Sequence, residues 1–389
     1  MTLLTPPDQP SFQRRHLLRG TAGAVALTAL AGPVLTVHAQ VRAPSGTPVR
    51  MTQLLDVSAD QQELSRDYAT GVRLAFADLK TSGMPVPQLS TVEVDGSEKA
   101  VRDAMQGVAD DPAQVALLGT VGERLALATL KESARTRLGM AHVAPWLADA
   151  QFDADPNVFS LFASREDQIR YVLKNLAVMQ VTELGLIYPT HEGAAALHQG
   201  TSAIAERLQL KARALTVPPG EDIESFAARL PADAPFFLVF MGGSVELARF
   251  TRGLGKKARQ RFVVCLADVD ATTFLQLSPG KGGPVIFTQI VPNPNSSKMH
   301  IVRSYRDALQ RLFDEPPSPL SLAGYLAGRY AATVLGTAGP NPTRARVLAE
   351  FQRRRPQELD GYRLEYAVKG RASSFVSQTL LNAEGKFVG

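Results

Sequence analysis

The sequence predicts an α/β fold with two Rossmann-like, doubly wound lobes. From about residue 49 onward, short apolar runs alternate with amphipathic stretches, a pattern typical of parallel strands covered by helices. The apolar runs are too numerous for one comfortable sheet. The chain of 389 residues also exceeds the roughly 250 to 300 residues at which a single core stops growing.

Nine apolar runs are predicted as strands, in chain order RMTQLLDV, QLSTVEVD, QVALLGTV, MAHVAPW, LGLIYP, KARALTVP, APFFLVFM, RFVVCLAD and PVIFTQIV. The first helix is expected over residues 63–79, where apolar side chains recur at helical spacing. Residues 157–164 are expected to be extended, a helix to begin near Arg165, and a second strand–helix series to begin at Leu184.

Three helices are predicted near the carboxyl terminus, at residues 299–313, 320–337 and 344–354. They follow PVIFTQIV, which Pro292 and Pro294 end. The last residues are predicted to form strands joined by turns at Lys369-Gly370 and Glu384-Gly385.

The amino terminus carries an export pattern. Arg14-Arg15 precedes an uncharged run over residues 21–37, which is rich in Ala and Gly and too weakly apolar for a membrane span. Small residues before a cut after Ala39 suit a signal peptidase. The segment 1–39 is similar to a twin-arginine signal, and a general secretory signal stays open. The mature chain then begins near Gln40 in the periplasm, with its formal net charge lowered from +5 to +3 by the loss of three arginines and one aspartate.

No constellation for catalysis, cofactor or metal is found. The nearest glycine fingerprint, at residues 253–258, follows a helix and precedes a strand, which is the wrong context for a dinucleotide. His191 and His198 lie about two helical turns apart without a carboxylate at ligand spacing, so neither metal nor cofactor is expected. Cys265, the only cysteine, lies in an apolar run and predicts no internal disulfide. The sequence thus does not indicate an enzyme.

Nucleic-acid binding is also not expected. The charge is only mildly basic and the aromatic residues do not interleave with basic ones. Arg353, Arg354 and Arg355 are typical of a solvated helix end.

Four junctions between a strand and a helix carry candidate binding residues. Ligands of open parallel sheets bind at the carboxyl ends of the strands. The junctions are at residues 119–123, 145–146, 241–244 and 267–268. Each alone is compatible with a plain turn. Together, on two facing lobes, they favour a cleft.

The chain resembles the type I periplasmic solute-binding proteins of the branched-chain amino acid (leucine-binding) ABC transporter family. The segments that carry the resemblance are DYATGVRLAFADLKTSG, ALLGTVGERLALA, HVAPWLA, GLIYPTHEGAAAL, FLVFMGGSVELARFTRGLG, AGYLAGRYAATVL and NAEGKFVG. It implies lobes joined by a three-segment hinge, with crossings near 163–164, 289–292 and 355–361. The first lobe would combine residues 40–163 and 290–355, and the second 164–289 and 356–389.

The resemblance also implies a function. The lobes would close over a small polar solute, an amino acid or a related carboxylate or amide, for an inner-membrane ABC permease and ATPase complex, and the protein would be a monomer. Thr120 and the neighbouring N–H groups, including those of Val121 and Gly122, would hold a carboxylate, and Asp268 would pair with an α-ammonium. The remaining implied pocket residues are Pro145, Trp146, Thr190, Gly243, Ser244 and Tyr325.

The sequence departs from the family pattern near this site. The hydroxyl-rich loop is reduced to Thr120, Glu123 adds a negative charge beside the implied carboxylate site, and the loop at residues 58–64 lacks the usual Gly-Pro. An aromatic acid, an amide or another small metabolite is therefore an alternative to a standard leucine-type ligand. A ligand sensor of the same fold stays an alternative, and the export pattern alone suggests a third, an exported oxidoreductase with a cofactor.

Overall fold

A computed structural model describes residues 49–58, 61–278, 283–367, 370–382 and 386–388. The export pattern at residues 1–39 lies outside these ranges. So do Lys369 and the Glu384-Gly385 pair of the predicted turns.

The first sheet has five parallel strands in the order β2-β1-β3-β4-β5. Its strands are β1 (Arg50–Asp56), β2 (Gln88–Val94), β3 (Gln114–Leu118), β4 (Ala141–Val143) and β5 (Val158–Phe159). The helices between them are α1 (Gln62–Thr81), α2 (Glu98–Asp110) and α3 (Glu123–Thr136). Fully buried strands such as β3 read as continuous apolar runs because helices cover both faces of the sheet.

The second sheet has seven strands in the order β14-β13-β10-β9-β8-β6-β7. Its parallel strands are β6 (Glu183–Tyr188), β7 (Lys211–Thr216), β8 (Phe237–Phe240), β9 (Phe262–Cys265) and β10 (Val285–Gln289). They alternate with α4 (Arg165–Val178), α5 (His191–Arg207), α6 (Ile223–Ala228), α7 (Ser244–Leu254) and α8 (Ala271–Leu277). Two strands, β13 (Ser377–Leu381) and β14 (Phe387–Val388), extend it in antiparallel fashion. All nine predicted strands are present, and the α/β prediction with two parallel-sheet lobes is confirmed.

Three late helices return to the first lobe: α9 (His300–Leu312), α10 (Pro319–Thr337) and α11 (Arg344–Gln352). Helix α10 packs backbone to backbone against α1 at two glycines. A Cβ atom at Gly71 would lie 1.8 Å from the carbonyl oxygen of Ser321, and one at Gly324 would lie 2.0 Å from that of Tyr68. This close approach fixes α1, and with it the Tyr68 ring, against the first sheet.

The chain passes between the two cores near the first two expected crossings. Ala163 belongs to the first-lobe core and Ile169 to the second, while Phe287 belongs to the second and Ile290 to the first. The third passage differs from the expectation of residues 355–361. The hairpin of β11 (Gln357–Leu359) and β12 (Tyr362–Leu364) packs its apolar side chains into the first-lobe core.

The chain therefore makes its third passage between the lobes between Ala372 and Ser377. Ala372 and Ser373 donate backbone hydrogen bonds to Ser160 and Leu161 of the first lobe, at 3.1 and 2.8 Å. The boundary expected at residue 356 is thus placed too early. The chain reaches the second sheet only in β13, because the hairpin completes the first core before it.

Candidate ligand-binding cleft

The junctions after strands of both sheets meet around a cavity of about 250 Å³, here called the inner cavity. Gly122 and Trp146 line it from the first lobe, and Asp268 and Val269 from the second. The crossing residues, such as Ile290, form part of its wall. The carboxyl ends of both parallel sheets thus face one shared space, as open α/β folds require of a ligand site.

The first-lobe wall is built from the core outward. Thr120 is fully buried, and its Oγ1 lies 2.9 Å from Nε2 of His142 in the neighbouring strand. The backbone of Trp146 donates to the carbonyl of Thr120 at 2.8 Å, and Val121 forms an isolated parallel bridge with Trp146. Gly122 then starts α3 at φ 93°, a conformation that favours glycine.

Trp146 is held between two rings. Its ring centroid lies 6.0 Å from that of Tyr68 and 5.3 Å from that of Phe162. The preceding Ala144 has φ 49°, and its carbonyl accepts a 2.9 Å hydrogen bond from the Tyr68 hydroxyl. The left-handed residue turns the chain so that Pro145 and Trp146 line the inner cavity.

Arg371 anchors the loop that continues this wall. Its Nη1 donates to the carbonyls of Leu147 and Phe162 at 2.6 and 3.1 Å, and its Nη2 donates to that of Asp149 at 2.7 Å. Its Nε binds Asp153 at 2.8 Å, and only 4% of the Arg371 side chain is exposed. One guanidinium from the end of the chain therefore fixes the loop beneath the cleft.

Burial also sets the state of His142. The imidazole is enclosed by the first-lobe core, and desolvation lowers its pKa to about 3. The ring is therefore neutral at physiological pH and acts as a hydrogen-bonding partner of Thr120.

The second-lobe wall is built from helix caps. Asp270 is the N-cap of α8, and its carboxylate accepts from the backbone of Thr273 at 2.6 Å. Its own backbone N–H donates to Oγ of Ser244 at 2.9 Å. Gln168 accepts from the backbone of Ala267 at 2.8 Å and holds the end of β9 against α4.

Arg165, the first residue of α4, bridges the two walls. It donates two hydrogen bonds to the carboxylate of Glu123 on the first lobe, at 3.2 and 2.6 Å. It donates two more to Asp268 on the second lobe, at 3.5 and 3.1 Å. Burial disfavours the charged guanidinium, but the two carboxylates outweigh it, and the pKa of Arg165 is raised above its usual value.

A second cavity of about 550 Å³, here called the outer cavity, shares Glu123, Ala148 and Asp268 with the inner one. Arg165 lines it, as do Met241 and Gly243. The ion bridge of Glu123, Arg165 and Asp268 therefore lies where the two cavities meet. It divides the space between the lobes.

The structure brings together five of the ten sequence-predicted residues around these cavities. Gly122, Pro145, Trp146 and Asp268 line the inner cavity, and Gly243 lines the outer one beside Asp268. The other five do not line either cavity. Thr120 and Val121 lie fully buried behind the wall, and Ser244 supports Asp270.

Thr190 and Tyr325 lie elsewhere. Thr190 is exposed and caps α5 by accepting from the backbone of Gly193 at 3.0 Å. Tyr325 is fully buried between helices of the first lobe, and its hydroxyl donates to Asp78 at 2.8 Å. The expectation that Tyr325 is a pocket side chain is corrected, because its position on α10 points it at α1.

Two charged residues of the site were missed from the sequence as parts of it, Arg165 and Arg371. Each binds partners distant in the sequence, and no local pattern marks either one. The position of Arg165 directly after the first expected crossing was the only available signal. Within the described ranges, no group of three or more His, Cys, Asp or Glu side chains is arranged to hold a metal ion.

None of the helices that the structure describes has both the length and the apolar character that crossing a bilayer needs.

The fold has many relatives among solved structures. It is similar to a possible leucine/isoleucine/valine-binding protein from Rhodopirellula baltica, at 18% identity and TM-score 0.76, over 90% of this chain and 98% of that one. A substrate-binding periplasmic protein from Ralstonia solanacearum gives 20% identity and TM-score 0.74, over 87% and 99%. A fatty acid ABC transporter substrate-binding protein from Thermomonospora curvata gives 14% and 0.70, over 89% and 92%. At these low identities the TM-scores show a shared fold alone, and it is the type I fold that the resemblance implies.

Curated proteins give no match. The family comparison is decisive instead, because a model described as periplasmic binding protein matches residues 48–372, most of the chain. The chain belongs to the periplasmic binding protein family.

Proposed function

We propose that this protein is the periplasmic substrate-binding component of an ABC-type uptake system, which binds a small organic solute between its two lobes. The observation that carries the proposal is the inner cavity, whose wall draws on both sheets and on the crossing segments. A solute held there touches both lobes at once. Binding and lobe closure are then one event.

Closure follows from differential affinity. A solute that contacts Trp146 on one lobe and Val269 on the other stabilises the closed arrangement over an open one. The ion bridge through Arg165 adds a contact between lobes that opening would break. An inner-membrane permease and its ATPase would accept the solute from the closed form. Gly122, Pro145, Trp146 and Asp268 are proposed as site residues, with Gly243 at the outer cavity.

Export completes the proposal. The segment 1–39 acts as a twin-arginine signal, cleavage after Ala39 releases the mature chain, and the mature protein works as a monomer in the periplasm. N-terminal sequencing of the exported protein checks the cleavage site.

A thermal-shift screen of the mature protein against amino acids, carboxylates, amides and other neutral metabolites tests binding, because a bound solute raises the midpoint by mass action. Small-angle scattering with a hit should show compaction. Trp146, the only tryptophan, should change its emission with the same ligand dependence, and Trp146→Phe should lose the signal but keep the compaction.

A protein that neither gains stability nor compacts with any member of a broad library would refute the proposed function. If a hit raises stability but Trp146 emission stays constant, the solute lies outside the inner cavity.

A further inference from the structure

The inner cavity is mostly apolar. The side chains on its wall include Leu64, Trp146, Val269, Phe287 and Leu320. Its volume is about 250 Å³, and an apolar protein cavity of about 150 Å³ is enough to hold benzene. The space therefore suits an apolar body of about one ring with a small substituent.

The charges on this wall are already used within the protein. Its ionisable residues are Glu123, Asp268 and Asp270, and no Lys, Arg or His is among the described residues that line it. Arg165 binds both Glu123 and Asp268, and Asp270 caps α8. Two carboxylates share one guanidinium, so Arg165 offers no uncompensated positive charge to a solute.

The three acidic side chains disfavour an anionic solute, and the bridge to Arg165 weakens the attraction of two of them for a cationic one. A carboxylate in the inner cavity would find no free cation and would lie near three acidic side chains. An α-ammonium would have to compete for Asp268 with Arg165, which already donates two hydrogen bonds to that carboxylate. A neutral solute disturbs none of these pairs.

One uncharged group on the wall has no partner. Thr288, at the end of β10, lines the inner cavity, and its Oγ1 is buried and makes no hydrogen bond within the described ranges. A buried hydroxyl without a partner is destabilising. A solute with a neutral donor or acceptor that reaches this hydroxyl removes that cost.

We propose that the inner cavity binds a neutral, ring-sized apolar solute with one uncharged hydrogen-bonding group that pairs with Thr288. In this arrangement Arg165 determines specificity by occupying the two carboxylates that would otherwise attract an ammonium group. The inference rests on the proposed function and names the substrate class of the same site.

Calorimetry with four phenyl compounds tests the charge preference directly. Benzamide, benzoate, benzylamine and phenylalanine share a ring and differ in charge. Benzamide should bind at least about tenfold more tightly than the other three, because it alone carries no charged group that would need a partner on this wall. The hits of the broad library should likewise be neutral compounds.

Two pairs of variants test the residues. Arg165→Gln frees Glu123 and Asp268 and should raise the affinity for benzylamine about tenfold, whereas Arg170→Gln, which removes an exposed pair with Glu166, should not. Thr288→Val should lower the affinity for benzamide about tenfold, and Thr288→Ser should retain that affinity. Circular dichroism confirms that each variant is folded.

The outcomes separate the two proposals. Hits that are all amino acids or carboxylates would overturn the neutral-solute inference and leave the binding function standing. Unchanged benzamide affinity in Thr288→Val, or unchanged benzylamine affinity in Arg165→Gln, would remove that residue from its role. A library without any hit counts against the binding function itself, and the inference falls with it.

Discussion

The two walls of the cleft are built differently. On the first lobe, residues 119–122 and Pro145 are buried, Trp146 is wedged between two rings, and Arg371 fixes the adjoining loop from inside. On the second lobe, Thr190 and Asp268 are exposed and Gly243 is partly exposed. The side chains there are oriented by helix caps and by the ion bridge.

The two walls differ in how firmly their residues are held. The first wall is an extension of a packed core, so its form is fixed before a solute arrives, and preformed surfaces lose less entropy on binding. The second wall depends on single hydrogen bonds of about 1 kcal/mol each, which adjust more easily. The first lobe therefore supplies the rigid surface, and the second supplies a more adaptable one that carries Asp268 and Asp270.

Arg371→Met is the strongest test of the contrast between the two walls. Removing this buried guanidinium leaves Asp153 and several carbonyls of the loop without their partner, which should lower the free energy of unfolding by about 3 kcal/mol. Urea titration of the mature protein measures the change.

Arg170→Met is the matched control, because its pair with Glu166 on α4 is more than half exposed on both sides. It should change the free energy of unfolding by about 0.5 kcal/mol or less. Equal losses for the two variants would mean that the loop is not held by Arg371, and the first wall would be as adaptable as the second.

A pH series on His142→Gln sharpens the same contrast. Burial lowers the pKa of His142 to about 3 in the folded chain, against 6.5 for the free side chain. Below pH 6.5 the imidazole of His142 becomes protonated in the unfolded chain but stays neutral in the folded chain. The stability from this residue is therefore complete above pH 6.5 and falls by about 1.4 kcal/mol per pH unit as the pH drops toward 3.

The measurement is the difference in unfolding free energy between the wild type and His142→Gln. Between pH 6.5 and 4.5 the wild type should lose about 2 kcal/mol more than the variant. A difference that does not vary with pH would show that the imidazole titrates normally, and that the first wall admits water behind Thr120.

The sequence predicts the fold, and it predicts the first wall of the cleft better than the second. Strand ends are marked by where apolar runs stop, which placed Gly122, Pro145 and Trp146 at the cavity. The family resemblance implies Tyr325 as a pocket side chain, but Tyr325 packs against α1, because a position carried over from a family does not show which neighbour that helix face meets. Arg165 meets Asp268 across 103 residues of sequence, and Arg371 meets Leu147 across 224. Pairings of that range have no local signature.

The smallest expected effect concerns the second wall. Asp270→Ala removes the N-cap of α8 and should lower the free energy of unfolding by about 1 kcal/mol, whereas Asp270→Asn, which can still cap, should cost only a few tenths. Because α8 is a short helix at the edge of the inner cavity, the alanine variant should also loosen Val269 and Ala271. The affinity for a solute in that cavity should fall as a result. Trp146 on the opposite wall should keep its emission in the unliganded protein. A shift of that emission in Asp270→Ala would mean that a change confined to α8 reaches Trp146 without a solute, and that the first wall is not preformed.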